Sequence, residues 1–414
     1  MKKFSEPVKR KGLLIVLDGA GDRPIKDLDG KTPYEYAKTP NLDKLSEIGI
    51  NGLMDPIKPG QPAGSDTSHL SLLGNNPYET YKGRGYLEAL GVGLDLDEKN
   101  IAFRCNYGTL RNGKIVDRRA GRIKEGTEEL AKSIQEKVNL PVKFKFKDST
   151  EHRAVLVLEE GSTKVTDGDP HDTNMEPLEI TSKSEEGEKT AKLLNEFVNQ
   201  AHNILKNHEV NLKREKDNKL PANYILVRGA GKKPSTLDFN NKYGVKPSAV
   251  VPTALVRGTL RSMGFKILDV KGATGGYDTN VIAKANKVIE EFKNNRDFIF
   301  LHFKATDLAG HDGDPEKKIK MIEKADKMIG KLHEKLELSK YAIALTSDHS
   351  TPCEVLNHSG DPVPIVIAGG GVRTDDVNKF GERPCSKGGL GRINGKDVLL
   401  TIMDLMGNTK KYGA

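Results

Sequence analysis

The sequence predicts an α/β fold in which a mostly parallel sheet, flanked by helices, carries an inserted, smaller α+β domain. Up to about residue 98, and again from about residue 224, apolar strand-like runs alternate with helical patterns, which is typical of a parallel sheet. Between these segments the pattern changes to hairpins and long amphipathic stretches. We therefore expect residues 1–98 and 224–414 to form one domain and residues 99–223 to form the insert.

Three apolar runs in the outer segments predict buried strands. They read GLLIVL before Asp18, DFIFLHF before Asp307 and YAIALTS before Asp348. Runs that are apolar at nearly every position are expected in a sheet that is covered by helices on both faces. Each of these strands is followed by a carboxylate, so the three carboxylates are predicted at the ends of strands.

The predicted insert contains its own turn and helix signals. The segment IAFRCNYGTL turns at Asn112-Gly113 into KIVDRRAG, and Asn-Gly between two such runs is typical of a hairpin. A helical pattern follows at TEELAKSIQEKV, then a second hairpin from VKFKFKD to RAVLVLEE, then the amphipathic stretch EEGEKTAKLLNEFVNQAHNILKNHEV. This order favours an α+β domain rather than a continuation of the parallel sheet.

Composition narrows the class of protein. A chain of 414 residues suggests about two domains, and 36% hydrophobic with 30% charged residues is typical of a globular protein. We expect no membrane partner, since no apolar stretch is long enough to span a bilayer. The opening MKKFSEPVKRKG lacks the apolar region of a secretion signal, and three cysteines form no CxxC pair. The expected localisation is cytoplasmic.

The positive net charge requires an explanation. The chain carries a formal charge of +8 and has a pI near 9.0, a balance that is common among nucleic-acid-binding proteins. Its lysines are nevertheless dispersed beside glutamates on predicted helices, which is typical of a solvated helix face. Aromatic residues are only 6%, and no nucleic-acid-binding motif is visible. We therefore expect no nucleic-acid partner and favour a small anionic ligand.

Carboxylates and imidazoles cluster where the predicted strands end. In open α/β sheets, side chains at the carboxyl ends of strands meet in one crevice. Oxygen and imidazole ligands suit hard to borderline divalent metals, and the two downstream clusters, ATDLAGHDGD and TSDHSTPCEVLNHSGD, offer two adjoining ligand sets. The Asp-Gly at residue 18 is also an ordinary turn signal, so its role depends on the other clusters. The candidate metal ligands are Asp18, Asp307, His311, Asp348, His349 and His358.

A serine follows a turn-forming segment. Between Gly60 and Gly74 the chain reads GQPAGSDTSHLSLLG, which predicts a short helix that begins near Ser65. Backbone N–H groups at a helix N-terminus suit a nucleophile that accepts phosphate. The alternative is a helix N-cap, which serine often provides. We interpret His69, one helical turn later, as a residue that packs or orients this loop, and His302 as a hydrogen-bonded strand residue.

Arginines and one histidine are candidate anion ligands. Arg104, Arg118, Arg119 and Arg122 lie around the first predicted hairpin, and Arg228 lies where the chain leaves the insert. Arginine binds carboxylate and phosphate in a bidentate fork, although arginines in a hairpin are also often simply solvated. In the loop GDPHDTN, His171 could contact substrate or relay a proton, but this loop is also ordinary turn chemistry.

These motifs, in this order, resemble the alkaline phosphatase superfamily and, more narrowly, the archaeal-type branch of the cofactor-independent phosphoglycerate mutases. The supporting stretches are DGKTPYEYAKTPNLDKL, PAGSDTSHLSLLG, YKGRGYLEALGVGL, DRRAGRI, VRGAGKKP, GATGGYDTN and DPVPIVIAGGGVR. The match covers nearly the whole chain. At the serine, Gly64-Ser65-Asp66 departs from the Asn-Ser-Glu of the bacterial-type mutases.

The resemblance implies a mechanism with two divalent metals. Mn²⁺ is expected, with Co²⁺, Zn²⁺ or Mg²⁺ as alternatives, and no 2,3-bisphosphoglycerate is needed. Ser65 would carry a phosphoryl group between 3-phosphoglycerate and 2-phosphoglycerate, the inserted domain would cap the substrate, and a homo-oligomer is possible. In this scheme Asp18, Ser65, Asp348 and His349 hold one metal, and Asp307, His311 and His358 hold the other.

Other functions use similar residues. A phosphatase or phosphodiesterase of this superfamily would share the serine and metals but admit water, and phosphopentomutase would act on a sugar phosphate. A purely structural metal site is disfavoured, because it needs neither an aligned serine nor two adjoining ligand sets. The family-specific stretches favour phosphoglycerate.

Overall fold

The structure is a computed structural model that describes residues 9–413. In chain order the described strands are β1 (Lys11–Leu17), β2 (Gly49–Asp55), β3 (Ile101–Arg111), β4 (Lys114–Asp117), β5 (Phe144–Asp148), β6 (Arg153–Leu158), β7 (Tyr224–Gly231), β8 (Pro247–Val250), β9 (Lys266–Ile267), β10 (Phe298–Phe303), β11 (Tyr341–Thr346), β12 (Val363–Gly369) and β13 (Gly391–Asn394).

The helices alternate with these strands along most of the chain. In chain order the described α-helices are α1 (Pro33–Tyr36), α2 (Pro40–Glu47), α3 (Ser65–Leu72), α4 (Pro77–Thr80), α5 (Arg84–Gly91), α6 (Thr127–Lys137), α7 (Glu188–Leu205), α8 (Glu209–Lys216), α9 (Phe239–Tyr243), α10 (Ala254–Arg261), α11 (Val281–Lys293), α12 (Ala305–Asp312), α13 (Pro315–His333), α14 (Glu382–Cys385) and α15 (Gly395–Met406). Short 3₁₀ helices occur at Lys26–Leu28, Glu185–Gly187 and Leu338–Lys340.

The chain forms two compact units. Among the described residues, the larger unit comprises residues 9–81 and 236–413, and the smaller one comprises residues 82–235. The sequence pattern places the boundaries at 98/99 and 223/224, inside these limits. The smaller unit is longer because α5 packs on β3 and β7 pairs with β3, so both flanking elements belong to its core.

The larger unit is built on an eight-stranded sheet with the order β13-β2-β12-β11-β1-β10-β8-β9. β1 lies at its centre and pairs in parallel with β10 on one side and with β11 on the other. β12 runs antiparallel to both of its neighbours, while the remaining pairs are parallel. The predicted α/β class with a mostly parallel sheet is confirmed.

Side-chain alternation along β1 explains how helices cover both faces of this sheet. Leu13, Ile15 and Leu17 pack with apolar residues of α2, α11 and α13, whereas Leu14 and Val16 pack with those of α10 and α15. A strand buried on both faces has to be apolar at every position. The run GLLIVL is apolar throughout because its alternate side chains pack into two separate cores, one on each face of the sheet.

The smaller unit contains an antiparallel sheet. β3 pairs with β4, β6 and β7, and β5 pairs with β6, in each case antiparallel. The hairpins predicted at Asn112-Gly113 and between β5 and β6 are both present. Helices α6 and α7 pack through Leu130, Ile134 and Phe197 against this sheet.

Among residues 9–413, no helix is both long enough and apolar enough to cross a membrane.

Candidate metal centre

Three adjacent strand ends bring the predicted ligands together. Asp18 directly follows β1, α12 with Asp307 begins two residues after β10, and Asp348 follows β11 by two residues. These strands are parallel neighbours, so their carboxyl ends lie at one edge of the sheet. This topology places carboxylates that are about 300 residues apart in the chain next to one another.

One ligand group is fully buried. Asp18, Asp348 and His349 each offer a ligand atom within 4.8 Å of the others. The His349 Nε2 atom lies 3.2 Å from Asp348 Oδ2 and 3.7 Å from Asp18 Oδ1. All three side chains have zero exposure, so any charge on them must be neutralised inside the protein.

A second group surrounds Asp307. The Nε2 atoms of His311 and His358 lie 3.5 and 3.6 Å from Asp307 Oδ1. Asp307 and His311 are four residues apart on α12, which places them on one helix face. The rings of His349 and His358 stack with their centroids 3.6 Å apart, so the two ligand groups adjoin. Asp307, His349 and His358 each offer a ligand atom within 4.8 Å of the others.

The buried cluster has more carboxylates than ammonium groups, so added positive charge would stabilise it. Burial raises the pKa of Asp348 well above its usual value, and the nearby Asp18 carboxylate raises it further. Burial also raises the pKa of Asp18 and of Asp307, but the Lys304 ammonium and the neighbouring histidines together outweigh it. They lower the pKa of Asp18 well below the usual value and that of Asp307 to about 2. Three buried carboxylates face this ammonium, so divalent cations would complete the charge balance.

The imidazoles are suited to bind metals through their lone pairs. Burial lowers the pKa of His349 to about 3, and the neighbouring His358 adds to this shift. Burial likewise lowers the pKa of His358. Neutral imidazole is the form that coordinates a metal. The donor set therefore fits divalent metals.

Ser65 lies beside this cluster. It is the first residue of α3, and the N-cap is Gly64, so the hydroxyl is not used for capping. The Ser65 Oγ atom is 3.4 Å from His349 Nε2. His69, one turn later, donates from Nδ1 to the Ser65 carbonyl over 2.6 Å, which supports its predicted role in orienting the loop.

In the smaller unit, several of the candidate anion ligands lie around the carboxylate of Asp169. Arg118 donates to it in a bidentate fork at 2.8 and 2.7 Å, and Arg228 Nε lies 3.5 Å away. Arg118 Nη2 is also 3.5 Å from His171 Nδ1. These three residues are thus held together by one buried carboxylate.

The remaining candidate arginines differ in burial. Arg104 pairs with Arg228 across β3 and β7, and burial together with the cations of Arg84 and Arg228 lowers its pKa to about 9. The buried Nε atoms of Arg104 and Arg228 have no hydrogen-bond partner in the described chain, which fits an anion-binding role. Arg119 and Arg122, by contrast, are exposed.

Comparison with known proteins places the chain in a family. A family described as the metalloenzyme superfamily matches residues 10–405. The 2,3-bisphosphoglycerate-independent phosphoglycerate mutase of Thermococcus kodakarensis is 57% identical over 98% of this chain and 100% of its own length, and that of Methanobrevibacter smithii is 46% identical with the same coverage. The chain belongs to this mutase family.

Solved structures agree with this assignment. A Pyrococcus horikoshii protein superposes with a TM-score of 0.89 at 49% identity, covering 99% of this chain and 100% of that one. The cofactor-independent phosphoglycerate mutase of Thermoplasma acidophilum has a TM-score of 0.70 at 37% identity, covering 96% and 100%. The family resemblance predicted from the motifs is confirmed.

Three side chains in the cluster were not predicted as site residues. Lys304 Nζ donates to Asp18 Oδ1 at 2.9 Å and contacts Asp307 Oδ2 at 2.6 Å. Thr351 Oγ1 donates to Asp307 Oδ1 at 2.8 Å. His302 is a hydrogen-bonded strand residue as predicted, but its partner is Asp18, 2.8 Å from His302 Nε2. The available signal was position alone, since His302 and Lys304 lie at the end of a strand that leads to a ligand.

Proposed function

We propose that this chain interconverts 3-phosphoglycerate and 2-phosphoglycerate without 2,3-bisphosphoglycerate, by passing the phosphoryl group through Ser65. The observation that carries the proposal is the Ser65 hydroxyl at the start of α3, 3.4 Å from an imidazole of a buried carboxylate and histidine cluster. Family membership supplies the substrate, since the relatives named above carry that activity in their names.

Two divalent metals are the proposed cofactors. Asp18, Ser65, Asp348 and His349 would hold one, Asp307, His311 and His358 would hold the other, and Mn²⁺ is the expected metal, with Co²⁺, Zn²⁺ or Mg²⁺ as alternatives. Metals bound there would make the serine hydroxyl more acidic and neutralise phosphoryl oxygens. The expected cytoplasmic localisation and a possible homo-oligomer stay predictions.

The chain's own residues perform the remaining steps. The Ser65 oxygen attacks phosphorus of bound phosphoglycerate, and the bond from phosphorus to the glycerate oxygen breaks. A phosphoserine forms, and the departing glycerate oxygen takes up a proton in place of the one that the serine hydroxyl gave up. Ser65 lies at the N-terminus of α3, where backbone N–H groups favour the negative charge of a phosphoryl group. Lys304 adds an ammonium beside Asp18 and Asp307. Glycerate then reorients, and its other hydroxyl takes the phosphoryl group back.

The arginines of the smaller unit are the proposed grip on substrate. Phosphoglycerate presents a carboxylate and a phosphate, both of which match the guanidinium fork. Arg104 and Arg228 each have a buried Nε atom without a hydrogen-bond partner in the described chain. The Arg118 guanidinium is held in place by Asp169, and His171 is adjacent. Arg119 and Arg122 are proposed as outer contacts. A firm grip on glycerate favours transfer over loss of the phosphoryl group to water.

Replacing Arg118 with alanine is expected to lower the rate of isomerisation about tenfold or more, since a hydrogen bond to a charged group contributes about 1.5 to 3 kcal/mol. Release of inorganic phosphate should fall less, so the ratio of isomer to free phosphate should also drop. Arg119→Ala and Arg122→Ala should have smaller effects because these side chains are exposed. Both products are measured in one assay by phosphorus NMR.

Arg392→Ala is the matched control for Arg118→Ala. Arg392 forms the same bidentate fork, to Asp55 at 2.7 Å for both bonds, on strand β13 of the larger unit. It should leave the rate and the product ratio unchanged. If Arg118→Ala behaves like Arg392→Ala, the substrate-binding role of Arg118 is wrong.

Replacing Gly19 with alanine is expected to weaken metal binding as well as stability. Gly19 has φ of +59°, and a Cβ atom there would lie 2.5 Å from Thr351 Oγ1 and 2.6 Å from Asp307 Oδ1. Gly30 is the matched control, since its φ is +69° and no atom lies within 4 Å of its Cβ position. Gly30→Ala should lower the free energy of unfolding only through the strain of its left-handed backbone, by about 1 to 2 kcal/mol. Denaturant unfolding measures the stability of both variants, and metal titration measures their metal affinity. If Gly19→Ala and Gly30→Ala lose equal stability and equal metal affinity, the loop at Gly19 is not crowded against Asp307.

A further inference from the structure

A second polar cluster contains none of the proposed ligands and is built around Lys318 of α13. Lys318 is fully buried, and its Nζ donates to the Gly21 carbonyl at 3.0 Å, to Asp22 Oδ2 at 2.8 Å and to the Thr351 carbonyl at 2.9 Å. An ammonium has three N–H donors, so these three acceptors use all of them. Lys318 therefore joins the loop after β1 to the loop after β11.

Asp22 makes the complementary half of this junction. Its side chain is fully buried, and the carboxylate accepts, besides Lys318, the backbone N–H of Arg23 at 2.8 Å and that of Cys353 at 3.2 Å. Arg23 belongs to the first loop and Cys353 to the second. The ion pair is thus bonded to the backbone of both loops.

These two loops carry ligands of one proposed metal and contact a ligand of the other. Asp18 lies three residues before Gly21, and His349 lies two residues before Thr351. The Thr351 hydroxyl reaches the other ligand group, since it donates to Asp307 Oδ1 at 2.8 Å. A displacement of either loop would therefore change the spacing between the ligands of both groups.

The two loops and α12 approach one another closely at this junction. The Thr351 N–H donates to the Gly21 carbonyl at 3.1 Å. A Cβ atom on Gly21 would collide with Ser350 Oγ, and one on Gly310 of α12 would collide with the Thr351 carbonyl oxygen. Glycine at both positions allows the loops and α12 to approach this closely.

We propose that Lys318 and Asp22 are positioning residues that fix the spacing between the two ligand sets, an inference that rests on the metal centre proposed above. Neither residue touches a metal ligand side chain. They act through the backbone of the Gly21 and Thr351 loops. The competing interpretation is an ion pair that only stabilises the core, and buried ion pairs are by themselves weak indicators of stability.

The test compares Lys318→Met, Asp22→Asn and the double variant with wild type, using Co²⁺ as the probe. The dissociation constant is measured by titration, the visible spectrum of bound Co²⁺ reports its coordination, and thermal unfolding reports stability. Loss of residues that orient ligands typically weakens metal affinity 10-fold to 100-fold, so a change of about this size is expected together with an altered spectrum. Because the two residues act as a unit, the double variant should bind no more weakly than the worse single variant.

Asp326→Asn is the matched control, since Asp326 lies on the same helix and is also buried. Its carboxylate accepts two backbone N–H groups at the start of α2, those of Asn41 at 2.9 Å and Leu42 at 2.8 Å. This variant should lose stability but keep the wild-type affinity and spectrum. Asp22→Asn keeps the Lys318 bonds to both carbonyls, so it decides the question if Lys318→Met does not fold.

Two results would overturn the inference. If wild type binds two Co²⁺ ions and Asp22→Asn and Lys318→Met bind them with unchanged affinity and spectrum, the pair only stabilises the core, and the proposed function stands. If wild type binds no metal, the metal centre and this inference are both wrong.

Discussion

Replacing Ser65 with alanine is expected to abolish phosphoryl transfer and leave the fold intact. Removal of a nucleophile that forms a covalent intermediate costs roughly 10⁴-fold or more in rate. The side chain is small, does not cap α3 and makes one long contact, to His349. Rate measurement is combined with mass spectrometry of protein trapped with substrate, in which phosphate is expected on Ser65.

Thr67→Ala is the control for this variant. Thr67 lies in the same first turn of α3, and its hydroxyl donates to the Gly64 carbonyl at 3.1 Å. Its loss should change the rate only a few-fold. Phosphate on His171 or another residue, or an active Ser65→Ala variant, would show that the nucleophile is wrongly assigned.

Removal of divalent metal is expected to abolish activity and to lower the melting temperature. Without metal, the Lys304 ammonium is left to balance three buried carboxylates, and burial together with the Asp18 carboxylate raises the pKa of Asp348 well above its usual value. A metal that binds only the folded state raises the free energy of unfolding by about 2.7 kcal/mol when its concentration is one hundred times its dissociation constant. Activity and melting are measured after chelation and again after Mn²⁺ is restored.

Asp307→Asn provides the comparison at the second ligand group. It should lower the metal stoichiometry or affinity, and the melting temperature should respond less to added Mn²⁺ than in wild type. Undiminished mutase activity in protein verified as metal-free would contradict the two-metal mechanism.

The fold and the position of the site could be predicted because they depend on local patterns. A run such as GLLIVL specifies a buried strand, and a carboxylate after it lies at the sheet edge whatever the distant sequence is. Three such runs were enough to predict that Asp18, Asp307 and Asp348 meet, and the structure brings them together. The α3 start at Ser65 was predictable for the same reason.

The supporting contacts could not be predicted because they join residues that are distant in sequence. Lys318 looks like one lysine among many on an amphipathic helix, and only the tertiary structure buries it against the Gly21 and Thr351 loops. His302 and Lys304 likewise acquire a role only once β10 is placed beside β1. The domain limits differ for a related reason, since β7 joins the smaller sheet by pairing with β3.

This chain is proposed to transfer a phosphoryl group between positions on glycerate without an added bisphosphate. The most direct measurement supplies 3-phosphoglycerate to purified, Mn²⁺-loaded protein that has been freed of 2,3-bisphosphoglycerate, and follows the products by phosphorus NMR. We expect 2-phosphoglycerate to appear with little accompanying inorganic phosphate. If 2-phosphoglycerate forms only after 2,3-bisphosphoglycerate is added, or if inorganic phosphate is the main product, the proposed function is wrong.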